Sequence, residues 1–225
     1  MFKFIQRFEQ IKRAHNNREC FWSINVPVSI WFAIVFFTAS VHAFETGITA
    51  GARTLYLQVG AGTFTGGSFN AGGTPGNNAT VNVVSTTVPS ASVGAGPQAM
   101  TTNSAVANSS LDNFPFCTVP AQMYVAGFYR NPGTAGVVSL SSISPTNLIS
   151  GTDAIPFTAI SWVSSGAGDP TGTIPSGTFN GANQTLYTTT QNRWFESCLS
   201  FVYANNTAVP AGTFTGRVTY TLSAP

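Results

Sequence analysis

Downstream of residue 43 the chain carries five carboxylates, Glu45, Asp112, Asp153, Asp169 and Glu196, with two cysteines, Cys117 and Cys198, and four arginines, Arg53, Arg130, Arg193 and Arg217. Both histidines, His15 and His42, and both lysines, Lys3 and Lys12, lie before that point. Without imidazole or lysine there is no His-activated nucleophile, no Schiff base and no His-containing zinc site. What remains is hydrolysis between two carboxylates, which needs the pair held roughly 5 to 10 Å apart. No two of the five share a motif, and acids in such a setting are expected as solvated loop and surface groups. The sequence holds no P-loop, no dinucleotide fingerprint and no Asp-rich calcium loop. The expectation is a protein that is not an enzyme and takes no cofactor or metal.

The first 43 residues explain where the missing chemistry went. Lys3, Arg7, Lys12, Arg13 and Arg18 precede the apolar run from Val26 to Ala39, and Val41-His42-Ala43 follows. A basic start, an apolar centre and small residues before a cut describe a secretory signal peptide, here ending at Ala43. Retention as a membrane anchor is the alternative; the run is shorter than the ~20 residues needed to span, and Pro27 interrupts its start. Removal takes five of the nine Lys and Arg and two of the seven acids, Glu9 and Glu19, leaving four arginines, five acids and a net charge of −1. No basic patch remains, so neither nucleic acid nor, after cleavage, an anionic membrane is an expected partner.

Cys20 also lies in the leader, which leaves Cys117 and Cys198 as an even pair in an exported chain. A redox pair or a metal site would need a neighbouring His, Lys or further Cys to stabilise a thiolate, and there is none. A structural disulfide is expected, closing a separation of 81 residues.

Residues 44–225 read as one all-β domain. Gly, Asn, Ser, Thr and Pro crowd the connections, and helical periodicity is absent. Leu55, Leu57 and Val59 line one face of a first short strand, and the Gly-rich stretch 60–78 behind it reads as a flexible loop. Ala79, Val81 and Val83 then share a face before the phase changes to Val84, Thr86 and Val88, as a bulge would cause. The stretch 121–129 is apolar on both faces, as a central strand should be, and further strands are expected at 136–140, 155–163 and 184–189. The end is the most regular part. Phe214, Gly216, Val218, Tyr220 and Leu222 alternate with Thr213, Thr215, Arg217, Thr219 and Thr221, a period of two that only a strand with one buried face produces. Phe195, Leu199, Phe201 and Tyr203 share a face of the preceding segment, and Asn205-Asn206-Thr207 supplies turn chemistry, so the two segments are expected to form a closing hairpin. About eight strands and one long-range cysteine pair point to an immunoglobulin-like β-sandwich, with a barrel or jelly roll as alternatives. Gly-Thr-Phe-Thr/Asn-Gly recurs at Gly62, Gly177 and Gly212, at spacings too irregular for a solenoid. Each copy reads as a turn leading into a strand with Phe as the first inward residue.

The ending Val209-Pro-Ala-Gly-Thr-Phe-Thr-Gly-Arg-Val-Thr-Tyr-Thr-Leu222 resembles the final strand of bacterial chaperone-usher pilus subunits and of spore coat protein U-like secreted domains. Ile155 to Trp162 is similar, more distantly, to a middle strand of such subunits. The resemblance implies an incomplete sandwich, finished by a strand from a neighbouring copy through β-augmentation. It further implies that a periplasmic chaperone grips the last strand at Gly212, Phe214, Val218, Tyr220 and Leu222, and that Leu55, Leu57 and Val59 form the donated row. The penultimate residue is Ala224 rather than an aromatic, and Cys117 and Cys198 are not spaced like the usual early disulfide.

Two function classes follow. One is a secreted, pilin-like surface protein that self-assembles by strand complementation in the periplasm, at the outer surface or outside the cell. The other is a self-complete monomeric sandwich in which the first strand pairs within its own chain. A carbohydrate-binding form of the second would stack a glycan on Trp194, with Arg193 and Glu196 orienting it and Trp162, Tyr129 and Tyr187 as further faces; the competing account makes the tryptophans core residues.

Overall fold

The computed structural model describes residues 45–225, except 79, 134–135 and 167–171. The signal peptide and its cleavage point lie outside the described residues. Strands dominate. In chain order they are β1 Glu45–Gly47, β2 Thr54–Val59, β3 Phe64–Thr65, β4 Thr74–Pro75, β5 Val84–Ser85, β6 Gln98–Ala99, β7 Thr101–Thr102 and β8 Met123–Arg130. They continue as β9 Val137–Ile143, β10 Asn147–Ser150, β11 Asp153–Pro156, β12 Ile160–Ser165, β13 Gly177–Thr178, β14 Asn183–Thr190, β15 Arg193–Tyr203 and β16 Thr219–Ser223. The all-β expectation holds, while the strands outnumber the eight expected. The surplus consists of ladders two to four residues long, too short to carry a periodic signal.

The larger sheet runs β13-β12-β15-β8-β2, every pair antiparallel. Eleven residues long, β15 is its spine. Its first half pairs β8 and β1, and its second half pairs β12 and β6. The second sheet is β14-β9-β16. Beyond it the chain stays in line, for Thr215 and Ile149 exchange two backbone bonds of 2.9 and 3.0 Å.

Successive side chains of a strand point to opposite faces, and β15 and β8 are buried on both. Phe195, Leu199, Phe201 and Tyr203 of β15, with Met123, Val125 and Tyr129 of β8, meet Val138, Leu140, Leu186 and Leu222 of the second sheet in the main core. Trp194 and Cys198, with Tyr124, Ala126 and Phe128, form a second core on the opposite face. Among the described residues the β14-β9-β16 sheet contributes nothing to that face. The face is covered by the segment 61–78, whose β3–β4 hairpin sets Phe64 and Phe69 on the cluster, and by the segment 104–118, which brings Leu111 and Cys117. The Gly-rich stretch 60–78, expected as a loop, is therefore a folded cover. Its aromatics decide this: Phe69 lies 5.4 Å from Trp194 and 5.0 Å from Phe128, centroid to centroid.

Two expectations about connectivity are corrected. The segments 193–204 and 210–222 do not form a hairpin; β15 belongs to the larger sheet and β16 to the second, paired with β9. The cause sits at Asn205, which has φ +46° and is buried. Its Nδ2 donates to the carbonyls of Ser92 (2.8 Å) and Gly96 (2.9 Å), and its Oδ1 accepts from the Gly94 amide (3.0 Å), so the chain leaves β15 tied to the 90–96 turn. Asn205→Ala removes three bonds of about 1 kcal/mol each and sets at φ +46° a residue that tolerates the left-handed region less well than asparagine. Urea unfolding is expected to show a loss of about 3 kcal/mol, whereas a loss below half a kcal/mol would show that the turn is held by other contacts. Second, no bulge marks the phase change near Val83: Asn82, Val84, Thr86 and Val88 are half-buried in plain alternation, and Val81 and Val83 face outward.

The phenylalanines of the Gly-Thr-Phe repeats turn inward as read, but only the first copy leads into a strand that starts at its Phe; β13 ends at Thr178, before Phe179, and Phe214 precedes β16. Phe64 packs on the second core, Phe179 lies within the main core, and Phe214 packs against it.

Candidate functional site: a seam between two sheet edges

The two sheets meet along one margin through strands that each have a single partner. Among the described residues β2 pairs only with β8, and β16 only with β9, yet β2 and β16 lie in direct contact. After the excursion through the cover, the chain returns to the same margin. Asn82 Nδ2 donates to the Val59 carbonyl (2.6 Å), and Asn82 Oδ1 accepts from the Ala61 amide (3.1 Å). The margin thus comprises β2, the extended stretch 82–88 and, opposite, the stretch 213–223.

Burial follows this geometry. In the sandwich centre Val125, Val138 and Leu140 are fully buried. Along the margin Leu57, Val59, Val84, Val88, Phe214, Val218 and Tyr220 pack against the same core but stay half-exposed. The alternating row of the last strand is as expected: Phe214, Val218, Tyr220 and Leu222 turn inward, while Thr213, Thr215, Arg217, Thr219 and Thr221 are all exposed. Burial raises the Tyr220 hydroxyl well above the usual tyrosine range. Gly212 lies against Ser150, whose hydroxyl stands where a side chain at 212 would begin, so a substitution there makes the Ser150 side chain turn away.

The inner row of β9 changes character where it nears this margin. Val138 and Leu140 are followed by Ser142 and Ser144, whose hydroxyls are buried without a hydrogen-bond partner among the described residues. Sequence reasoning missed both serines, since a strand reading extends only to Leu140 and a serine in a Ser-rich run carries no sign of burial. A groove of about 350 Å³ follows β2, with Gly62, Gly76 and Thr80 on its far wall.

The first strand's row is placed differently from expectation. Leu57 and Val59 reach the main core, but Leu55 is 49% exposed, and the deeply buried residues are Tyr56 and Gln58 on the opposite face. The Tyr56 hydroxyl (2.8 Å) and the Ser110 hydroxyl (2.7 Å) both donate to Gln58 Oε1. Burial pushes the Tyr56 hydroxyl up to about 12. All six residues of β2 pair with β8 of the same chain. At Gly127, opposite Leu57, a β-carbon would stand 2.8 Å from the Tyr56 carbonyl oxygen and 2.9 Å from the Phe195 ring, so only glycine lets these strands approach.

The remaining candidates lie elsewhere. Cys117 and Cys198 form the expected disulfide, with Cα atoms 5.5 Å apart, fastening the segment 104–118 to β15. Trp194 is fully buried between Phe69 and Phe128 and has no face to offer a sugar, which corrects its reading as a stacking platform. Trp162 is likewise a core residue. Arg193 is exposed beside Glu45, whose carboxylate accepts from the hydroxyls of Tyr187 and Thr189.

The acids are not all solvated. Glu196 is buried in the second core, accepting from the Ser109 hydroxyl (2.8 Å) and the Tyr124 hydroxyl. Burial raises its carboxyl above the ordinary range; these hydroxyls and the nearby Trp194 indole N–H, which does not complete a hydrogen bond, pull it down, and Asp112 pushes it up. Burial raises the Tyr124 hydroxyl strongly, with the adjacent Glu196 charge adding to it.

The chain matches no family model, and neither a curated protein nor a solved structure is similar to it.

Proposed function

We propose that this chain is a secreted structural protein whose copies assemble by exchanging β2. The observation that carries the reading is the margin itself: two single-partnered strands in contact, backed by a row of half-buried apolar side chains. Strands at such an edge are normally guarded by Lys, Pro or charge. Here β2 contains none of these, and β16 contains only Thr, Tyr, Leu and Ser. In an assembly, β2 of one copy takes its place beside β8 of the next, so that Leu57 and Val59 finish the neighbour's core and no new kind of contact is required. Before assembly, a periplasmic chaperone would cover the last strand along Gly212, Phe214, Val218, Tyr220 and Leu222.

A second reading has its own support. The full-length pairing of β2 with its own β8, and the Tyr56–Gln58–Ser110 hydrogen bonds, favour a self-complete secreted monomer. Periplasmic protein run unboiled on a denaturing gel separates the two. Exchange gives a ladder of multimers that is lost when residues 52–59 are deleted. A single band from the intact protein would overturn it.

A further inference from the structure

Arg130 ends β8 on the face that carries the second core, and it is prepared as no other arginine among the described residues is. Its guanidinium lies over two aromatic rings, 4.9 Å from the centroid of Phe69 and 5.5 Å from that of Phe128. Its stem runs flat along Gly51, where a β-carbon would stand 2.9 Å from Cδ, so the slot exists because residue 51 is glycine. Nε is buried and has no acceptor, and among the described residues the side chain makes no hydrogen bond or ion pair. The side chain as a whole is half-buried, which leaves the terminal fork as its accessible part.

A guanidinium packed against rings has lost part of its conformational freedom in advance, and its charge is stabilised by the π-systems without being neutralised. Its N–H donors lie in one plane, the arrangement that receives a planar oxyanion through two parallel hydrogen bonds. Beside it Phe69, whose ring lies against Trp194 and the guanidinium but is only partly buried, presents its apolar edge, and Thr54, the cross-strand neighbour of Arg130, donates its hydroxyl to the Ala52 carbonyl (3.1 Å) and keeps its oxygen as an acceptor. A carboxylate attached to a ring with apolar C–H faces uses all three: the fork for the charge, the edge of the phenyl ring for the C–H face and the Thr54 oxygen as acceptor for a sugar hydroxyl.

We propose that Arg130, with Phe69 and Thr54, forms a binding site for the carboxylate of an acidic sugar, a uronate unit of an anionic polysaccharide. The site lies on the outer face of the larger sheet where β2 pairs with β8; if β2 is exchanged, the Thr54 beside Arg130 comes from the neighbouring copy, and each β2–β8 pair still displays one site.

The test is binding of a polyuronate oligosaccharide by the full chain, measured by calorimetry at low and moderate salt, with a neutral glucan and a sulfated glucan as comparison ligands. The expected result is saturable binding of the polyuronate that weakens with salt, no binding of the neutral glucan, and weaker binding of the sulfated one. Arg130→Gln is expected to lower affinity at least about tenfold, and Arg130→Lys, which keeps charge but loses the planar fork, to fall in between. Unfolding midpoints of both variants establish that they are folded; if Arg130→Gln is not, the lysine variant carries the comparison. Absence of polyuronate binding by the unaltered protein, equal binding of the sulfated glucan, or undiminished affinity in the folded variants would each overturn the proposal.

Discussion

Replacing Cys117 and Cys198 together by alanine is expected to lower the stability of the domain by roughly 4 kcal/mol, the loop-closure value for a cross-link of this span. The location explains why the loss is not absorbed elsewhere. The bridge joins β15 to the segment 104–118, which covers the outer face of the larger sheet and has only turns and short bridges of its own. Freed from the bridge, this segment keeps the Ser109–Glu196 hydrogen bond and the packing of Leu111 and Phe116. For a domain of this size the loss corresponds to a fall in melting temperature of roughly 8 to 16 °C. Calorimetric scans of the oxidised protein and the double variant check it. A fall under about 2 °C would mean that the aromatic contacts alone hold the cover.

Glu196→Ala is expected to cost about 3 to 5 kcal/mol, because it leaves the Tyr124 and Ser109 hydroxyls without their acceptor inside a closed core and opens a cavity beside the disulfide. The same residue gives the domain a pH dependence whose sign is fixed by the direction of its shift. A carboxyl raised in the folded state favours the protonated form there. Its contribution to stability is fully present below the unfolded value of 4.5 and is lost as pH rises through the raised folded value. The domain is therefore more stable in mild acid than at neutral pH. No histidine downstream of residue 43 titrates across the same window to mask this. Urea unfolding from pH 4.5 to 8 is expected to show stability declining with pH in the unaltered protein and a flatter profile in Glu196→Gln. A stability that rises with pH, or a slope retained in the glutamine variant, would place the coupling on another group.

The elements legible in the sequence are those with one face to water. The alternation from Phe214 to Leu222 could be read because the Thr row must be wet and the aromatic row must not be. The central character of β8 could be read because both of its faces are apolar. Partnership was not legible: nothing in 210–222 says that it pairs β9 rather than β15, since that choice is made by the hydrogen bonds of Asn205 to a turn more than a hundred residues upstream. Glu196 was misread for a related reason. In a strand buried on both faces, polarity at one position does not mark a solvent side, and its acceptor role becomes visible only when Tyr124 and Ser109 are brought to it from other elements. The cover over the second core is hidden by composition, for Gly-rich sequence suggests freedom, while the placement of Phe64 and Phe69 depends on a hydrophobic face that the β14-β9-β16 sheet does not reach.

The claim that β2 is an exchanged strand has a direct covalent test. Leu55 and Tyr129 are cross-strand partners on one face of the β2–β8 pair, at a separation typical of such pairs, ~4.5 to 5.5 Å, which a disulfide can bridge. In a Leu55→Cys, Tyr129→Cys protein oxidised in its native state, boiled and run without reductant, exchange predicts a covalent ladder, because each β2 is bonded to the β8 of the next copy. A cross-linked monomer alone would show β2 lying against its own β8 and would contradict assembly by strand exchange.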